Sequence, residues 1–371
     1  MGSARFHSAA CPWPRAGGVA RAHGSRQRRP RRLAGLITVL AVGVGLVLTK
    51  AELDRRRNAQ STRKRKFSLI GEESLAQGLH RMALGQLDLA IELLEAPQAS
   101  QSEWTIHETR KAIKRLRALL CLTRSTLGKR RFARENRALR NCARTLAGAR
   151  DAEVALASLA QLVDSHPKRL HGSPAVEQMR ARLEDERNRA LQNAPLSGDH
   201  RDMLLKELRG IRARAWEFPD RGFALVAGDL QEIYRRGRRA LRRARKQNDS
   251  ATLHEWRKRV KDLRYSTQML TRKQPGDPKQ QWIARLGARA DELSELLGEE
   301  HDLALLAGHI HEHRDAFADE KHTRKVLLEL IEKRRLRLRR QALKLGGQLY
   351  GRAPKRFRKR AARSLRGASS L

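Results

Sequence analysis

Two stretches of this 371-residue chain carry the same chemistry in the same order. Residues 105–117 read TIHETRKAIKRLR and residues 252–264 read TLHEWRKRVKDLR, with eight positions identical. Each holds a histidine followed by Arg at +3, Lys at +4, Lys at +7 and Arg at +10: His107, Arg110, Lys111, Lys114 and Arg117, then His254, Arg257, Lys258, Lys261 and Arg264. Guanidinium groups offer forked donors that match phosphate oxygens, and ammonium groups act as mobile point charges, so the set suits a chain of phosphates. At about 100° per residue the five side chains fall within roughly 120° of a helix. Ile113, Leu116 and Leu120, and Trp256, Val260 and Leu263, lie on the opposite side and predict a face that docks on a core. One basic helix face is ordinarily just solvated. Its recurrence with a histidine in place points to a duplicated binding surface.

The histidines are expected to contact phosphate. Neighbouring cations lower an imidazole pKa in an empty site, and a bound polyanion raises it again, so His107 and His254 should gain a proton on binding. No metal is assigned to them, because their helical neighbours are Arg and Lys. His309 and His313 form an i, i+4 pair within HIHEH, but spacing places no third ligand, and a surface cluster is the expectation. Asp151 and Asp302 each follow a small-residue stretch and are read as helix caps, the alternative being orientation of a basic side chain. Cys11, Cys121 and Cys142 show no CxxC spacing; the latter two are read as small packing residues of a chain without disulfides or zinc.

Lys and Arg number 80 against 40 acidic residues, a net charge of +40, which calls for a polyanionic partner. Aromatic residues make up only 4% of the chain, too few for a surface that stacks single-stranded bases. A chain of phosphates is therefore the first reading of the partner, non-specific nucleic acid the second, and phosphate hydrolysis a third reading. Hydrolysis needs metal-holding carboxylates, and no acidic cluster accompanies the cations in sequence. No cofactor is called for.

These faces need long helices to hold them, and the chain supplies them. Apolar residues recur at helical spacing over 74–94, both motif stretches, 130–147, 175–193, 222–246 and 321–349, and no stretch alternates like a strand; the fold class is all-α. Each motif is expected to start its helix within two turns of the histidine, capped by Ser100, Ser102 or Thr105 in the first copy and by Asp249 or Thr252 in the second. Each is followed by a long helix, a small-residue break (Gly148; Gly298) and an Asp. Residues 1–32 read as a disordered basic tail, 33–49 as a membrane anchor or an extension without function, and 50–66 as a basic linker. The helical domain spans 67–360, with repeat halves at about 67–164 and 200–350, and 361–371 form a basic tail.

The paired His-x-x-Arg-x-x-x-Lys-x-x-Arg helices, with Gly-Ala-Arg-Asp-Ala-Glu-Val after the first and Leu-Gly-Glu-Glu-His-Asp after the second, resemble the CHAD domain, the conserved histidine α-helical domain. Tyr-Arg-Arg-Gly-Arg at 234–238 and Leu-Gly-Gly-Gln-Leu-Tyr at 345–350 extend the resemblance over about 67–360. It implies two similar helical bundles, a basic central surface that binds inorganic polyphosphate through the ten motif residues, and a place at polyphosphate granules in the cytoplasm; the hydrophobic run 33–49, which would anchor the chain to a membrane, is a departure from the family. Some members carry a CYTH triphosphatase domain; its Glu-x-Glu-x-Lys strand pattern does not occur here.

Overall fold

Ser74 accepts a hydrogen bond from Gln77 N while the Gln77 side chain reaches back to Ser74 N, a reciprocal cap that starts helix α1 (Leu75–Glu95). The computed structural model describes residues 66–96, 103–146, 149–192, 198–214, 218, 223–272 and 278–366. After α1 come α2 (Glu103–Leu122), α3 (Arg124–Leu127), α4 (Lys129–Thr145), α5 (Ala149–Ser165), α6 (Pro167–Leu170), α7 (Pro174–Gln192) and α8 (Asp199–Ala213). Then follow α9 (Phe223–Gln247), α10 (Ser250–Leu270), α11 (Pro278–Glu312), a 3-10 turn (Arg314–Phe317), α12 (Lys321–Leu349) and α13 (Pro354–Arg366). The expected all-α class is what these residues form, with one isolated bridge between Leu69 and Arg272 among them.

Packing organises the helices into two rings of four. In one, α1 packs on α2, α2 on α4, α4 on α8 and α8 back on α1. In the other, α9 packs on α10, α10 on α11, α11 on α13 and α13 back on α9. The rings share a continuous apolar core and touch directly through α2 and α10, the motif helices. A second core gathers α5, α6, α7, the last turns of α11, the 3-10 turn and the first half of α12 around Leu159, Met179, Leu183, Leu306, Ile310, Phe317 and Leu327.

Three sequence expectations change here. Residues 361–371 were read as a basic tail, yet α13, which closes the second ring, runs on to Arg366, because Phe357, Ala361 and Leu365 recur every four residues and are at most 1% exposed while the cations between them face outward. The helix α8, which periodicity had not singled out, closes the first ring with Leu204, Leu205, Leu208 and Ile211, although in chain order it belongs to the second stretch. The break expected at Gly298 is absent. An interior glycine costs only about 1 kcal/mol, and the buried series Leu293, Leu297, Leu303 and Leu306 carries α11 through as one 35-residue helix.

Residues 1–65 lie outside the description, including the basic tail, the 33–49 run and nearly all of the linker. Among the described residues no helix is long and apolar enough to cross a membrane.

A duplicated cationic helix pair as the candidate functional site

Asn248 takes a left-handed conformation at φ 52° between α9 and α10, which Asn tolerates better than most residues. The turn delivers Asp249 as N-cap, its carboxylate accepting from Thr252 N at 2.7 Å. Of the two caps considered for this copy, Asp249 is the one used. In the first copy the helix already begins at Glu103, and Thr105 is buried inside it rather than capping it. Both histidines consequently occupy the fifth helical position, within the first two turns.

The predicted faces are what the helices present. Ile113, Leu116, Leu120, Trp256, Val260 and Leu263 are 0% exposed, and the ten motif residues line the other side, half-buried apart from the exposed Lys258. Trp256 stands where the first copy has Thr109, and the larger ring needs room. An added Cβ on Gly346 of α12 would overlap it, which gives the Gly in the 345–350 stretch its reason. Gly237 serves Tyr350 in the same way.

Single carboxylates stand among the cations. Lys111 pairs with Glu108 at 3.1 Å and Lys258 with Glu255 at 3.6 Å, so the Glu after each motif histidine holds the Lys one turn on. Arg264 is paired with Asp291 and lies 3.6 Å from Glu295. Asp302, inside α11 and not a cap, approaches Arg257 at 3.8 Å. It thus takes the alternative role of orienting a basic side chain, while Asp151 lies exposed in the first turn of α5. Arg110 donates to the Leu146 carbonyl at 2.5 Å, securing the C-terminus of α4 to the first motif. Linear spacing hides these partners because most come from other helices.

His301 is the site residue that periodicity missed. Its ring sits 4.3 Å from that of His254, tilted by 35°. Burial, then Arg257, His254 and Lys261, hold His301 down to about 4. His254 is also lowered, by burial first and by Lys258 and Arg257 next, so the cations anticipated from sequence act second to desolvation. The Nδ1 atom of His254 is buried without a hydrogen-bond partner among the described residues. The signal was present in Leu-Gly-Glu-Glu-His-Asp, but only the fold brings the two rings together.

The copies meet reciprocally. Arg117, at +10 in the first motif, is within electrostatic reach of Asp262, at +8 in the second. Arg264, at +10 in the second, is within reach of Arg115, at +8 in the first. An exchange of this kind is what a local twofold relation between α2 and α10 produces. Phe67 and Tyr265 stack edge to face at 6.3 Å between them, with Arg115 over the Phe67 ring at 5.2 Å and Arg264 over the Tyr265 ring at 5.9 Å.

Beneath the second motif, Glu300 is 2% exposed and accepts from Arg335 at 3.0 Å and Arg339 at 2.9 Å; Arg335 also donates to Ser250 Oγ, the first residue of α10, at 2.7 Å. Cys121 and Cys142 are free thiols pushed up to about 11, burial being the main cause, as packing residues would be. Away from the motifs, His309 and His313 converge on Glu186 of α7, the third group that spacing in the sequence did not supply.

Comparison with curated proteins returns no match. Among solved structures, the CHAD domain from the plant Ricinus communis is similar, at 17% identity and a TM-score of 0.48, covering 77% of this chain and 94% of that one. The model of the CHAD domain family matches residues 86–311, a segment that runs from α1 through both motif helices to the last turn of α11. With that match extending over more than half its length, the chain belongs to the CHAD domain family.

Proposed function

We propose that this chain binds inorganic polyphosphate along the surface carried by α2 and α10, without turning it over, and that this binding places it at polyphosphate granules in the cytoplasm. The observation that carries the proposal is the packing of the two motif helices on each other, with Arg117 near Asp262 and Arg264 near Arg115, which supports reading the two repeated sets of His, Arg and Lys as one paired surface. A single phosphate group would be held by two or three such cations. A repeated set spread over two helices, each motif about 15 Å long at 1.5 Å per residue, suits a linear anion with a charge at every unit.

The carboxylates fit a binding role. Glu108, Glu255, Asp291 and Asp302 each approach a motif cation and so position it. They are not grouped to hold the metal ions that phosphoryl transfer uses. An incoming polyphosphate would exchange with them for the guanidinium and ammonium groups, leaving the cations fixed in place beforehand.

Competition tests the partner class. Protein bound to polyphosphate beads is expected to resist tRNA and duplex DNA offered at equal phosphate concentration and to be released by free polyphosphate. Release by the nucleic acids at the same concentration would transfer the surface to them.

A further inference from the structure

At the end of α11 the chain carries a second cluster that the phosphate surface does not use. His309 lies in the last turn of α11 and His313 one turn later, and the backbone bond from His313 N to His309 O, 2.9 Å, keeps the pair in helical register. Their rings are nearly parallel, 5° apart, with centroids separated by 6.4 Å. Glu186 reaches in from α7, placing Oε2 3.2 Å from His309 Nδ1 and Oε1 2.5 Å from His313 Nε2. One ligand atom from each of the three lies within 4.8 Å of the other two.

The contact between Glu186 Oε1 and His313 is a hydrogen bond, and Oε2 faces a second imidazole, that of His309. The Nδ1 atom of His309 is buried, and its approach to Glu186 lacks hydrogen-bond alignment, so it has no hydrogen-bond partner among the described residues. Two imidazole nitrogens and a carboxylate oxygen within 4.8 Å of one another make a donor set that matches borderline divalent transition metals rather than Mg²⁺ or Ca²⁺. The surroundings hold the ligands in place. Leu183, Ile310 and Phe317 pack beneath them, and Arg182, one turn before Glu186, pairs with Asp315 at 2.5 Å, fixing α7 against the 3-10 turn. The three side chains remain 16% to 30% exposed, which leaves a path for an ion and a coordination position for water.

We propose that Glu186, His309 and His313 bind a divalent transition metal ion of the Zn²⁺ class, cross-linking α7 to α11. His301 and His309 are eight residues apart, about 12 Å along α11 at 1.5 Å per residue, so the site is separate from the motif surface but shares a helix with it.

Titration of the metal-stripped full-length chain with Co²⁺, followed by visible absorption and by the melting temperature, tests the assignment. One Co²⁺ per chain is expected to produce the d–d band of a tetrahedral or five-coordinate nitrogen and oxygen site, and Zn²⁺ is expected to displace it and to raise the melting temperature. Glu186→Gln, His309→Gln and His313→Gln should each abolish the band and the thermal shift, while His311→Gln, on the same stretch but outside the cluster, retains both. A wild-type chain that gives no saturable band overturns the proposal without recourse to any variant. A band that survives all three substitutions overturns it as well.

Discussion

An imidazole packed against a second imidazole among fixed cations gives up its proton readily, and this governs how the site responds to pH. His301 is held at about 4, mainly by burial and then by Arg257, and His254 is lowered for the same kind of reason. In the unfolded chain an imidazole returns to about 6.5. As pH falls from about 6.5 toward 4 the unfolded state therefore takes up protons first, and the stability His301 allows above that window is progressively lost. Denaturant midpoints measured across this range without phosphate should fall with acidity in the wild type and fall less in His301→Gln. A bound polyanion reverses the balance by favouring the charged rings, so polyphosphate binding near pH 6 is predicted to take up protons. Calorimetry in buffers of different ionisation enthalpy reads that uptake directly, and observed heats that do not vary with the buffer would remove the histidines from the phosphate contact. The ten motif residues were legible in the sequence because repetition singled them out. His301, Asp291 and Glu186 were not, because each meets its partner only through packing of one helix on another.

At the scale of the elements, the helix faces followed from periodicity, and the apolar residues opposite each motif are the ones buried. Helix ends and closures were less legible. Residues 354–366 are so rich in Arg and Lys that charge obscured the buried spacing of Phe357, Ala361 and Leu365, and Gly298 looked like a break because spacing alone does not show the core that carries α11 past it. Two supports of the motif helices can be tested by stability. Glu300→Ala leaves Arg335 and Arg339 without their buried carboxylate, and a loss of about 3 kcal/mol or more is expected in chemical denaturation. Gly346→Ala drives a methyl into the Trp256 ring, for an expected cost of about 1–3 kcal/mol. A neutral outcome for Gly346→Ala would show that α12 shifts to admit the methyl.

For the whole molecule, a net charge of +40 favours long-range attraction of polyanions, and in the proposed function the paired motif surface is where it acts. Affinity for polyphosphate is predicted to drop by roughly a hundredfold or more between 50 and 200 mM salt, the signature of counterion release. Salt dependence alone would follow from charge anywhere on the chain, so charge has to be moved at the motifs. The most direct measurement is a titration of fluorescent polyphosphate, read by anisotropy at fixed salt, with the wild type and with Lys114→Glu/Lys261→Glu, helicity confirming that both are folded. Two reversed charges among 80 Lys and Arg change the overall balance little, yet affinity is expected to fall by roughly two orders of magnitude if these lysines make charge-assisted contacts. Equal affinities in the two folded proteins would contradict the site.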